Sequence, residues 1–91
     1  MYFAKSYLVE QFTQVQEDWR MRKNAAIRKV VRTNLRRLRK TKGLTQEDLA
    51  FKIGVSRAYI GYIEQGSNIP SLDTLEKLAK ALDVSITALV G

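Results

Sequence analysis

Large apolar residues fall at Leu8, Phe12, Val15 and Trp19, stepping by four, three and four, which traces one face of a helix. Ser6 is placed to cap it, so the spacing predicts a helix from about Ser6 to about Arg20. A second stripe follows at Ile27, Val31, Leu35 and Leu38. Gly43 stands where that helix ends, with Lys40 and Lys42 at the negative end of its dipole. Asn24 offers a cap for a fresh start, and the pattern leaves open whether the two helices are continuous. Thr45 opens a short third helix, with Asp48 completing a capping box and Leu49, Ala50 and Ile53 facing inward. Gly54 stops it. Ser56 starts another with Val55, Ile60 and Ile63 inward, and Gly66 closes that one. Ser71 caps the run "LDTLEKLAKALD", whose stripe is Leu72, Leu75, Leu78, Ala79 and Leu82, and Ser85 caps a last helix from Ile86 to Val90.

No segment alternates with period two over a useful length, and the one proline and five glycines all come after Lys42, so the chain reads as all-α. At 91 residues and 45% hydrophobic content it can build one modest core. It has no cysteine and no histidine, which removes disulfides, thiolate or imidazole zinc sites and histidine-based acid–base catalysis. No paired carboxylates stand out either, so no enzyme, metal or cofactor is expected. The formal net charge of +7 calls for a polyanionic partner. No apolar run approaches the roughly 20 residues of a membrane span. The start, "MYFAKSYLVEQF", lacks the cationic-then-apolar order of a signal peptide, so a cytoplasmic protein is expected.

Between Arg20 and Lys42 there are eleven Lys or Arg and no acid. Such a run is either a solvated helix face or a flank that tracks phosphates, and the residue pattern does not choose between them.

The stretch "DLAFKIGVSRAYIGYIEQG" breaks one helix at Gly54 and restarts another at once. Two short helices so joined bury little between themselves. They make sense as a helix-turn-helix, in which the glycine supplies the positive φ of a tight turn and small Ala50 allows close approach. The second helix then turns Ser56, Arg57, Ala58, Tyr59, Gly61 and Tyr62 outward, a set suited to base edges and phosphates in a major groove.

From about Val31 to Val90 the chain resembles the Cro/phage-repressor-like (XRE) family of DNA-binding domains, through "LRRLRKTKGLTQEDLAFKIGVSRAYIGYIEQGSNIPSLDTLEKLAKALDVS". Within that family it is most similar to the controller proteins of restriction–modification systems. The resemblance implies a five-helix lambda-repressor-like domain, here carrying an extra N-terminal amphipathic helix. Residues 25–91 are then the DNA-binding domain, while residues 1–24 lie outside the resemblance and read, from their apolar stripe alone, as a helical extension for dimerisation or packing. The resemblance further implies a recognition helix at about 56–64, with Ser56, Arg57, Ala58, Tyr59 and Tyr62 toward DNA. Gln46 would contact phosphate and brace that helix, Ser67 and Asn68 would clamp the backbone, and Arg39 and Glu64 would form a structural ion pair. The family commonly dimerises through its last helix, which makes Ile86, Leu89 and Val90 candidates.

Arg57 is the residue suited to bidentate guanine recognition, and Ala58 offers only methyl contact. Tyr59 and Tyr62 also fit packing beside the core, Tyr62 as well as it fits DNA. The stripe Leu8, Phe12, Val15 and Trp19 needs cover, either from a second subunit or from its own domain. The implied function is a sequence-specific transcriptional regulator, a homodimer on double-stranded DNA with a two-fold symmetric operator. The alternative is an antitoxin-type interaction module that uses the N-terminal helix, with DNA binding secondary. No effector domain is expected after Gly91, and so no small-molecule effector; with the basic run attached to a folded helical motif, no membrane partner is expected either.

Overall fold

The computed structural model describes residues 25–91. The expectations at Ser6, Leu8, Phe12, Val15, Trp19 and Asn24 lie outside the described residues. Within them the chain is all-helical. Helix α1 covers residues 25–41, α2 Gln46–Ile53, α3 Arg57–Gln65, α4 Leu72–Leu82 and α5 Thr87–Val90.

Local chemistry sets the start of each middle helix. The Thr45 hydroxyl accepts from the Asp48 N–H at 3.0 Å, and the Asp48 carboxylate accepts from the Thr45 N–H at 2.9 Å, a reciprocal capping box. The Thr45 N–H bond to the carboxylate, followed by the Thr45 side chain, holds the Asp48 carboxyl below its ordinary pKa. Ser56 and Ser71 cap α3 and α4 through the N–H groups of Tyr59 and Thr74.

Four helix ends share one closing device. A residue one or two past the helix is left-handed, and the next N–H reaches five residues back. At the end of α1 this is Gly43, with Leu44 N–H donating to the Arg39 carbonyl at 3.1 Å. At α2 it is Gly54 with Val55, at α3 Gly66 with Ser67, and at α4 Asp83 with Val84. Leu44, Val55 and Val84 are apolar and pack against the core, which drives each turn inward. Ser67 breaks that rule: it is exposed, so the turn after α3 is left facing solvent.

The core gathers Val31 and Leu35 of α1, Leu49 and Ala50 of α2, and Ile60 and Ile63 of α3 against Leu75, Leu78, Ala79 and Leu82 of α4 and Leu89 of α5. Fully burying one such aliphatic side chain contributes about 1.5–3 kcal/mol. The Asn34 amide also ties α1 to α5 by donating to the Leu89 carbonyl at 3.0 Å.

Several expectations need correction. Leu72 is 65% exposed and not part of the stripe, because at the first position of α4 it precedes the turn that reaches the core. Asp83 ends α4 with φ 54 instead of continuing it, since Val84 gains burial only if the chain turns there. Ser85 does not cap the last helix. Its hydroxyl pairs with that of Thr87 at 2.8 Å, and α5 begins at Thr87 from an Ile86 already in helical geometry. Leu89 is fully buried among the core residues of its own subunit, so it is removed from the candidate dimer contacts. Ile27 is 36% exposed and is not part of the buried core, and Phe51, 88% exposed, is an outward aromatic that the periodicity did not single out.

Candidate nucleic-acid interface

Gly54 sets the angle between α2 and α3. Its φ is 74°, and no atom stands within 4 Å of where a Cβ would be. The demand for glycine is therefore conformational and not spatial. Gly54→Val should destabilise the domain by about 1–2 kcal/mol, the cost of a left-handed conformation for an L-residue. Denaturant unfolding measures this, and an unchanged midpoint would contradict it.

Helix α3 turns Ile60 and Ile63 wholly inward, while Arg57 and Ala58 are exposed and Tyr62 is 52% exposed. Tyr59 is half-buried and packs against the core. Ser56 spends an oxygen lone pair on the cap, leaving its O–H to donate outward. At 100° per residue, Arg57, Gly61, Gln65, Ala58 and Tyr62 span one outward arc of about 140°. Gln65 lies near the middle of that arc and is exposed. The sequence reading passed over it, although its spacing from Ala58 and Gly61 carried the signal. A glutamine amide can meet adenine by two hydrogen bonds.

Behind this face lies a buried polar network. Arg39 Nε donates to Glu64 Oε2 at 2.7 Å and Nη2 to Oε1 at 2.9 Å, a bidentate pair joining α1 to α3. Arg39 Nη1 also donates to the Leu44 carbonyl at 2.8 Å. Hydrogen bonding to Glu64 holds the guanidinium above its ordinary pKa, against the opposing effect of burial. Gln46 Nε2 donates to Glu64 Oε1 at 3.4 Å, and its side-chain oxygen would stand 3.8 Å from a Cβ at Gly61. Gln46 is thus half-buried at the junction of α2 and α3. Among the described residues no buried side-chain nitrogen or oxygen lacks a partner.

The structure brings Gln46 and Arg57 together with Lys40 and Thr45 around one concave surface at the N-terminal end of α3. Ser67 and Asn68 are exposed at its other end, roughly 14 Å away along the nine-residue helix. Ile86 is half-buried and Val90 is 41% exposed on the far element. No group of three or more His, Cys, Asp or Glu among the described residues is arranged to hold a metal ion, and no described helix is long and apolar enough to cross a membrane.

A protein-family model described as Helix-turn-helix (HTH_3) matches residues 35–89. An uncharacterized HTH-type transcriptional regulator, y4dJ of Sinorhizobium fredii, is 45% identical over 64 residues, covering 70% of this chain and 83% of that protein. Among solved structures, the restriction-modification controller protein C.AhdI from Aeromonas hydrophila aligns with TM-score 0.64 and 42% identity, over 70% of this chain and 94% of that one. The controller protein C.Esp1396I, solved as a tetramer in complex with its natural 35 base-pair operator, aligns with TM-score 0.63 and 36% identity, over 69% and 83% of the two chains. With the capped α2–α3 unit, the glycine joint between them and these matches taken together, the chain belongs to the HTH_3 (XRE-type) helix-turn-helix family of transcriptional regulators.

Proposed function

We propose that this protein is a cytoplasmic, sequence-specific regulator of transcription that binds duplex DNA as a homodimer on a two-fold symmetric operator. One observation carries the reading. Helix α3 is clamped from behind by two fully buried isoleucines and a bidentate ion pair, while the side chains left outward include types suited to base edges. A helix held this way presents Arg57, Ala58, Tyr62 and Gln65 to a groove without reorganising.

In this reading Arg57 takes a guanine, Ala58 a thymine methyl, and Gln46, Ser56, Ser67 and Asn68 hold the phosphates at both ends of α3. The division into a DNA-binding domain at 25–91 and an extension at 1–24 is part of the proposal. Ile86 and Val90 supply the subunit contact from the last helix, with Leu8, Phe12, Val15 and Trp19 as the N-terminal contribution. That a related controller protein was solved on its operator supports the choice of partner.

Selection from a random duplex library tests the reading. The expected product is a pair of inverted half-sites with centres about 34 Å apart, one helical turn. Recovery of no consensus, with equal affinity for every duplex, would overturn it.

A further inference from the structure

The basic run on α1 does not encircle the helix. At about 100° per residue, Arg28, Arg39, Arg32, Arg36, Lys29 and Lys40 fall within an arc of about 120°. The opposite flank, formed by Val31, Leu38, Ile27, Asn34, Thr41 and Val30, carries no charge. The charged flank is the one that lies along α3. Arg39 in that arc reaches Glu64, and Arg32 crosses the turn after α3, where its Cδ would be 3.3 Å from a Cβ added to Gly66.

Arg32, Arg36, Arg37 and Lys40 line an open concave surface with Thr33, and Glu64 is its one acid. Glu64 is already matched by Arg39, so the four other cations have no counter-charge from that surface. Among the described residues none of the four is in an ion pair. Arg37 only donates to the Asn34 side chain at 3.4 Å. The series Arg28, Arg32, Arg36 and Lys40 repeats like charge at i, i+4, which works against the helix itself. A merely solvated face would gain from interspersed acids, and this one has none. Lys40 also borders the concave surface that holds Gln46 and Arg57, where Glu47 is the one acid, so the cations extend from Arg32 beside Gly66 toward the start of α3.

We infer that this cationic flank of α1 is a second DNA-backbone contact, gripping phosphates beside the segment that α3 reads and adding affinity without sequence preference. The inference rests on the duplex-DNA reading above. A run of positive charge set along a recognition helix matches the regular negative charge of a duplex, and each phosphate neutralised there releases counterions.

The test is the salt dependence of binding by the full chain, on the duplex recovered by selection and on a shuffled duplex of equal length. The Arg32→Gln/Arg36→Gln protein is compared with Lys52→Gln/Lys80→Gln, which removes the same charge from a different surface, beside Ile53 and Ala81. For the α1 variant the slope of log affinity against log salt should fall by about 3.6 per bound dimer, at roughly 0.9 for each of two phosphates lost per subunit. Its preference for the selected duplex over the shuffled one should be unchanged, and the control should keep the parental slope. Equal slopes for parent and α1 variant, or equal reductions in both variants, would overturn the inference. All four arginine and lysine positions are exposed, so folding is retained, and a thermal melt verifies it. If the parent does not distinguish the two duplexes, the duplex-reading proposal has failed. If it does and the α1 variant keeps its slope, only the second contact has failed.

Discussion

Replacing Glu64 with alanine is expected to lower the stability of the domain by about 3–5 kcal/mol, the largest effect of any single polar substitution in this structure. Arg39 and Glu64 are 8% and 7% exposed, and the carboxylate accepts two hydrogen bonds from one guanidinium. Without it, Arg39 keeps a full charge in a buried site with only the Leu44 carbonyl to meet it. The pair itself is not expected to add much net stability, because desolvating both ions offsets most of their attraction. This gives the prediction a second half. The double substitution Arg39→Met/Glu64→Leu, apolar and of similar volume, should recover most of the loss. Denaturant unfolding of the parent, the single and the double variants decides the matter. A single-variant loss below about 1 kcal/mol would mean the pair behaves as an exposed salt bridge. The network also reaches function, since Glu64 sits on α3 and Gln46 bonds to the same carboxylate. Losing it should loosen the recognition helix as well as the fold.

Arg57→Ala is expected to do the reverse. Arg57 is exposed at the first position of α3 and makes no ion pair among the described residues. Its removal should leave stability within about 0.5 kcal/mol of the parent. Discrimination between the selected duplex and one altered at the contacted base pair should fall by about 1–3 kcal/mol. Lysine at this position should not restore it, because an ammonium cannot present the guanidinium's two parallel donors. Competition binding measures the loss, and unaltered discrimination would place base reading elsewhere on the arc, with Gln65 and Tyr62 next in line.

What was legible in the sequence was the local chemistry. Thr45 with Asp48, Ser56, Ser71, Gly43, Gly54 and Gly66 each announce a helix end through a bond or a dihedral that depends on neighbours only a few residues away. What escaped was set by distance in space. Leu72 and Leu89 are both leucines at helical spacing, yet one is mostly in water and the other wholly buried. At a helix start, or in a helix of four residues, there are too few turns for periodicity to say which side the core lies on. Asp83 ends its helix because Val84 is drawn inward, and aspartate tolerates the left-handed geometry that this needs. On α3 the sequence places Arg57 and Tyr62 outward, as they are, but the pattern stops before the exposed Gln65, and it leaves core packing open for Tyr59 because that contact is tertiary.

The central claim is that α3 reads base edges in the major groove through Arg57. Methylation interference on the selected duplex tests it most directly, since a methyl group on guanine N7 blocks the acceptor a guanidinium would use. The account predicts that methylating one guanine in each half-site abolishes binding by the parent protein and makes no difference to the residual binding of Arg57→Ala. Interference at the same guanine in both proteins, or at none in either, would contradict it.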